Sequence, residues 1–437
     1  MGVKQGNFHH KPLNYRPPAI GRNRNPLRIC MIEPGVEHGS IGCQFVMNAA
    51  RSAGFAVEYI EPGDKREWDI ELVSIHHCTD FSPLAKLPRK APVRIIGGHP
   101  TVNNIRPAIP FGDVFCIGEG EEWIVWVLDM LARGADTSDL SQVPGTIVTA
   151  LHEYGGAIPK SLTVFPLPKH PPYLNRQTRG HSRTWYIEMA RGCPFACAYC
   201  ELGNAWAYRL QDTDYLLWQV DQCVREQSRK ITLFAPDEAS HPGYSEVLKR
   251  LQSRRLETSY GSMRLDVVMR KALPLKKNML IRVGIDGLTE ATRYRVGRKI
   301  SDDAIVDYFR FMSERGHVQF KIFMVFCYPW DTLDDFHEWA VLMKRIKAIP
   351  RTKNANVRIK FTPFIPQPPT PLGSCPPSYN DELIHAATEW FEENRTPKTY
   401  PGWYFVSDGI MSRRSHDEQC RLTLGDELTL DSSWRGR

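Results

Sequence analysis

Arg191-Gly192-Cys193-Pro194-Phe195-Ala196-Cys197-Ala198-Tyr199-Cys200 sets three cysteines within eight residues, at spacings of four and three. Three thiolates this close can each hold one iron of a cubane cluster and leave the fourth iron open. A small molecule can bind an open iron directly, and that separates a catalytic cluster from one that only carries electrons. Zinc is the competing ligand for clustered cysteines, but a zinc site needs a fourth His or Cys, usually in paired C-x2-C units. The next cysteine, Cys223, falls in a segment with a helical pattern.

Working outward, Thr184–Met189 reads as a strand of aromatic and β-branched residues running straight into this loop. The loop therefore sits at the carboxyl end of a strand, where barrel enzymes place their chemistry. The rest of the chain supports an enzyme-sized protein. Its 437 residues are 42% hydrophobic and 11% aromatic, enough for two or three cores. A balance of 56 Lys+Arg against 49 Asp+Glu gives +7, compatible with a polyanionic partner without demanding one. Eleven cysteines, most scattered through apolar runs such as those of Cys30, Cys116 and Cys327, argue against a disulfide framework and for a reducing compartment. No run of 18 apolar residues exists and Met1–Asn25 is polar, so no membrane span and a cytoplasmic location are expected.

Residues 1–26 read as a polar, basic arm. From 27 to 132 short apolar runs alternate with amphipathic segments: Leu27–Ile32, Ala56–Ile60, Ile70–Ile75, Val93–Ile96 and Val114–Ile117 as strands, with helices over Ile41–Ala53 and through Leu131. This alternation predicts an α/β, doubly wound Rossmann-like sheet with its ligand at the carboxyl ends of the strands. The glycine turns Gly97-Gly98-His99-Pro100 and Gly118-Glu119-Gly120-Glu121 are where a backbone could approach a cofactor tail. Residues 133–180 read as a Pro/Gly-rich connector with a hairpin around Gly155-Gly156, 181–373 as the catalytic domain, and 374–437 as a C-terminal extension with an amphipathic helix over Asp381–Glu393.

On these residues the chain resembles a known family. "RGCPFACAYC" resembles the cluster loop of radical S-adenosylmethionine (SAM) enzymes, and "SAGF", "GGHPT" and "DVFCIGEGEE" resemble the cobalamin-binding-type domain that precedes the barrel in one branch of them. The resemblance implies a partial barrel of six βα units, a [4Fe-4S] cluster on Cys193, Cys197 and Cys200, and Tyr199 near the adenine of SAM. An external electron donor would reduce the cluster. One electron would then cleave SAM to a 5′-deoxyadenosyl radical that abstracts hydrogen from an unactivated carbon.

Further strand ends match in order. Asp237 or Glu238, after the second strand, would meet the cofactor's ammonium; Arg264, in "SMRLD", would face its carboxylate; Asp286, before Gly287, would meet the ribose. Capping by Asp237 or Glu238 and an Arg264–Asp266 ion pair are the structural alternatives. The fifth-strand segment "FCYPWDT" keeps Pro329 and Thr332 but carries Cys327, Trp330 and Asp331 where the family has Gly, Gly and Glu. The sixth ends "TPFIPQPPTP" in the family manner. Gly97, Gly98 and Gly118 are the corresponding candidates in the first domain. The Asp-x-His-x-x-Gly cobalamin motif is absent, His38 is the nearest histidine, and cobalamin stands as a candidate third cofactor beside the cluster and SAM.

Two products stand within the class. Cobalamin-dependent methylation is one. Radical rearrangement, oxidation or coupling is the other, on a substrate attached to nucleic acid, and the build is similar to that of isomerases that tailor amino-acid-decorated thymidines of phage DNA. The basic charge and the interleaved Tyr400, Trp403, Tyr404, Phe405 and Trp434 favour the second, since cations meet phosphates and rings stack on bases. A non-catalytic iron–sulfur protein is the third reading. Oligomeric state is left unassigned.

Overall fold

The computed structural model describes residues 27–35, 40–159, 167, 184–228, 230–277, 279–394 and 401–433. The arm, His38, Tyr400 and Trp434 lie outside them. The chain divides into two compact units, 1–166 together with 425–437, and 167–424.

In the first unit, Ile29–Ile32 and Ile70–Ile75 are buried at every position, as the central strands of a sheet covered on both faces must be. The order across the sheet is Val57–Tyr59, Ile29–Ile32, Ile70–Ile75, Val93–Gly98, Val114–Cys116, all parallel. Thr146–Val148 closes it antiparallel. The sequence thus yields the expected doubly wound sheet, and its strand order reverses between Ile29–Ile32 and Ile70–Ile75. Helices Ile41–Ser52 and Glu121–Ala132 pack Cys43, Met47, Ala50, Trp123, Ile124 and Val127 on the sheet residues Ile29, Met31, Leu72 and Ile95. Glu71 and Arg94, in register on neighbouring strands, form a buried ion pair at 2.9 Å.

Part of the expected connector, Thr137–Gln142 and Thr146–Val148, belongs to this unit. At Gly155-Gly156 the structure has a tight turn, Gly156 N donating to Glu153 O, without flanking strands among the described residues. The end of the chain returns here too. Glu427, fully buried, accepts from Arg106 at 2.8 Å and contacts His152 Nε2 at 3.0 Å, and Asn104 Nδ2 donates to Gly425 O.

The second unit presents parallel strands in chain order: Thr184–Glu188, Lys230–Phe234, Glu257–Ser259 continued as Ser262–Met263, Ile281–Gly284, Gln319–Phe326 and Ala355–Pro363. Helices intervene, among them Thr213–Arg225, Tyr244–Ser253, Leu265–Lys271, Asp302–Glu314 and Leu333–Lys347. This is the build of a partial (β/α) barrel. The expected extension is not separate from it, because Trp403–Ile410 adds a seventh parallel strand beside Ala355–Pro363. Helix Asp381–Asn394 packs Leu383, Ala387, Trp390 and Phe391 into the same core. Trp403 and Phe405 are buried among these groups, so their rings fill core space and offer no stacking platform.

Gly98 shows what one glycine turn is for. Its φ is +125°, and a Cβ there would strike the carbonyl of Ile75 on the adjacent strand. Strand packing itself therefore excludes a side chain. Gly98→Ala is expected to destabilise the first unit by about 1–3 kcal/mol, read as a lowered thermal midpoint, whereas Gly42→Ala, in open space on a helix, should leave it unchanged or raised.

Candidate active site

The cysteine loop leaves the first barrel strand, and a short antiparallel pairing of Ala190–Arg191 with Arg209–Leu210 closes it into a compact excursion. Its backbone is tied down on several sides. Cys200 N donates to Cys197 O, and Asn204 Nδ2 donates to the carbonyls of both Cys197 and Cys200 at 2.9 and 2.7 Å. Ala198 N donates to Val296 O, after the fourth strand, and Leu372 N, after the sixth, donates to Ala198 O. Gly203 passes against the Phe195 carbonyl so closely that no Cβ would fit.

Cys197 is buried, while Cys193 and Cys200 are half-buried. Burial, with Asp237 and then Cys197 adding to it, pushes the Cys193 thiol up to about 11, and burial with the neighbouring cysteines pushes that of Cys200 up to about 12. Metal-free, both are protonated at neutral pH, so a cluster must displace their protons. Among the described residues no group of three or more His, Cys, Asp or Glu is arranged to hold a single metal ion.

Two arginines flank the loop. The Arg264 guanidinium lies 4.0 Å from the Phe195 ring centroid, pairs with Asp266 at 3.0 Å and donates to Arg298 O, leaving Nη1 buried without a partner among the described residues. The ion pair with Asp266 is thus present, and one guanidinium nitrogen remains over. Arg298, absent from the sequence-derived candidates, reaches Cys197 Sγ at 4.0 Å, Gly284 O at 2.6 Å and Asp286 at 3.1 Å, with Nε buried and likewise unpartnered. Burial pulls its pKa down, but Tyr199, Asp286 and Cys197 outweigh that and hold it above the ordinary value. Asp286 also accepts from Val325 N, which ties the fourth strand end to the fifth.

Tyr199 packs edge-on to Tyr328 at 6.2 Å between ring centroids, and Tyr328 stacks on Trp330 at 5.2 Å. Arg295 covers Trp330 from 3.6 Å. The departure at Trp330 therefore forms part of a small aromatic core beside the cysteine loop, which also takes in Val296 and Phe364, whereas Cys327 is buried in the main core of the barrel. Cys327 adopts φ +57°, a backbone state in which the family's glycine would be unstrained. Burial raises the Asp331 carboxyl to about 7, against opposing hydrogen bonds from the Tyr328 and Cys327 backbone and from Thr292.

The two second-strand carboxylates separate. Asp237, nearly buried, accepts from Arg264 N at 2.9 Å and from Ser240 Oγ. Glu238 is fully buried, accepting from Tyr244 Oη and Gly261 N, and burial lifts it to about 8.

In the first unit, Gly97 and Gly98 end the fourth strand, and Gly118, at φ +121°, follows the fifth. At the switch point the structure adds a pair that patterning did not single out. The buried Glu33 carboxylate meets His76 Nε2 at 2.6 Å and accepts from Tyr59 Oη and Ser40 N. His76 directly follows the third strand. A charged residue after an apolar run carries no pattern of its own, so only the strand order could reveal this pair.

Residues 187–342 match the radical SAM superfamily. This part of the chain is a radical SAM domain, the protein is an enzyme, and such a domain takes a [4Fe-4S] cluster and SAM. No curated protein matches the chain. Among solved structures, the radical SAM methyltransferase TsrM from Kitasatospora setae, with cobalamin and a [4Fe-4S] cluster bound, is similar at TM-score 0.59 and 14% identity over 79% of this chain and 76% of that one. The same enzyme with tryptophan and a SAM analogue gives 0.58, 14%, 79% and 74%. The cobalamin-dependent SAM radical enzyme OxsB gives 0.57 at 14% identity, covering 91% of this chain and 61% of that one. The likeness is one of fold, and it spans both units. No helix among the described residues is long and apolar enough to cross a membrane.

The loop and Glu238 each have a measurable consequence. Asn204→Ala removes two hydrogen bonds from the cysteine backbone, worth roughly 1–2 kcal/mol together; iron retained after anaerobic reconstitution should fall while far-ultraviolet circular dichroism is unchanged. Because the Glu238 pKa is higher folded than the 4.5 expected unfolded, its stabilising contribution is full below pH 4.5 and is lost as pH rises toward about 8. Glu238→Gln keeps the shape without the titration. Relative to wild type, its thermal midpoint should therefore rise between pH 6 and 8.5.

Proposed function

We propose that the chain is a radical SAM enzyme in which Cys193, Cys197 and Cys200 hold the cluster and the first unit takes a cobalamin, acting together on an unactivated carbon. The observation that carries this is the three-cysteine loop itself, anchored through Ala198 to segments after the fourth and sixth strands. The residues around it suit the cluster and SAM. The unpartnered donors Arg264 Nη1 and Arg298 Nε supply positive charge beside the thiolates and for a carboxylate. Asp237 supplies the anionic counterpart for an ammonium. When bound, the cluster delivers the electron that cleaves SAM. The protein's share would be to hold the reactants and exclude water, a task that the aromatic group of Tyr199, Tyr328, Trp330 and Phe364 beside the cysteine loop suits.

Two findings support the cobalamin reading. Fold similarity to a cobalamin-bound enzyme extends over both units, and the switch point of the first sheet, where such folds bind ligands, carries His76 held by the buried Glu33. An imidazole oriented by a carboxylate is the arrangement metal sites use. Rearrangement of a nucleic-acid-linked substrate is the second reading. Burial of Trp403 and Phe405 takes away two of the rings that favoured it, while Arg282, Lys321 and Arg358, in register on neighbouring barrel strands, favour an anionic substrate.

The test is anaerobic reconstitution with SAM and a reductant. Wild type should release 5′-deoxyadenosine and retain cobalamin absorbance. S-adenosylhomocysteine in equal amount identifies methyl transfer, and deoxyadenosine alone identifies rearrangement. Cys197→Ala should reduce cleavage to background. A wild-type chain with a complete cluster that cleaves no SAM would contradict the proposal.

A further inference from the structure

The side of the second unit's sheet turned away from its helices carries a row of cations. Register sets Arg282 beside Lys321 and Lys321 beside Arg358. Residues in register on parallel strands project to the same face, about 4.8 Å apart. Their neighbours along each strand, Ile281 and Val283, Phe320 and Ile322, Val357 and Ile359, are buried in the helix-side core, so the row faces the other way. Lys360, two residues beyond Arg358, shares this face. Lys321 pairs with Asp408 at 2.5 Å, and Arg282 donates to Tyr260 O. Arg358 and Lys360 are exposed, and neither makes a hydrogen bond or ion pair with another described residue.

Like charges on neighbouring strands destabilise a sheet. Four cations against the Asp408 carboxylate is therefore an arrangement that folding alone disfavours and that a bound polyanion would offset. Two rings lie on the same face: Phe323, in register with Lys360 and with Lys321 Nζ 5.0 Å from its centroid, and Tyr404, in register with Asn356. Asn356 adds an acceptor, its Oδ1 being buried without a partner among the described residues. Cations beside rings and a lone amide acceptor suit phosphates joined to planar bases.

We propose that this face binds a nucleotide-bearing substrate, with Arg358 and Lys360 on its phosphates. The inference rests on reading the unit as a radical SAM domain whose inner face receives the substrate. The row also gives part of the chain's net positive charge a specific place.

The experiment measures fluorescence anisotropy of a labelled single-stranded tetranucleotide with the reconstituted full chain at low salt. Wild type should bind. The double variant Arg358→Gln/Lys360→Gln should bind at least tenfold more weakly, with the slope of log affinity against log salt reduced by about 1.4, or roughly 0.7 for each phosphate no longer neutralised. Iron content and SAM binding serve as the control, and both should match wild type in the variant, since these side chains are exposed and make no hydrogen bond or ion pair with a described residue of the cysteine loop. Equal affinity in the two proteins, or no binding by a wild type that holds its cluster and SAM, overturns the proposal. A wild type that holds neither cluster nor SAM contradicts the radical SAM reading instead.

Discussion

The constraint on which this structure depends is the presentation of three thiols from one short loop. A cluster with an open iron needs three cysteines at fixed mutual positions, and a free loop would not keep them. Here Asn204 gathers the carbonyls of Cys197 and Cys200, while Ala198 is hydrogen-bonded on both sides, to Val296 and to Leu372. These partners follow the fourth and sixth barrel strands. The parallel sheet thus works as a frame that brings residues roughly a hundred positions or more away in sequence onto one backbone segment.

Charge completes the arrangement. Arg264 and Arg298 lie beside the loop with buried donors left over; Asp237 anchors the Arg264 backbone, Asp266 pairs with its guanidinium, and Asp286 pairs with Arg298. Buried donors without partners are costly in a finished interior. They make sense where a charged ligand belongs. Glu238 is the contrast: a carboxyl of the same turn, drawn into the core by Tyr244 and Gly261, and neutral at pH 7.

Much of the fold was legible because it is written locally. Continuous apolar runs announced the parallel strands, and the cysteine spacing announced the radical SAM domain. The seventh strand was missed because Trp403 and Phe405 alternate with Tyr404 in a stretch where aromatic and basic residues also read as a nucleic-acid groove. Only pairing with Ala355–Pro363 shows which rings face inward. Glu71–Arg94, Glu33–His76 and Arg298–Cys197 were illegible for a different reason. Each joins residues 23 to 101 positions apart, and a lone charge in an apolar run carries no period. The inner-face cations fall between these cases, being visible in "RIK" as charges but recognisable as a row only from register.

The central claim is that the cysteine loop carries a cluster whose fourth iron is open to SAM. Electron paramagnetic resonance of the reconstituted, reduced protein tests it most directly, recorded before and after SAM is added. The account predicts a [4Fe-4S]+ signal whose g values shift on addition. A cluster signal that SAM leaves unchanged, or iron that never assembles into a four-iron cluster, would contradict it.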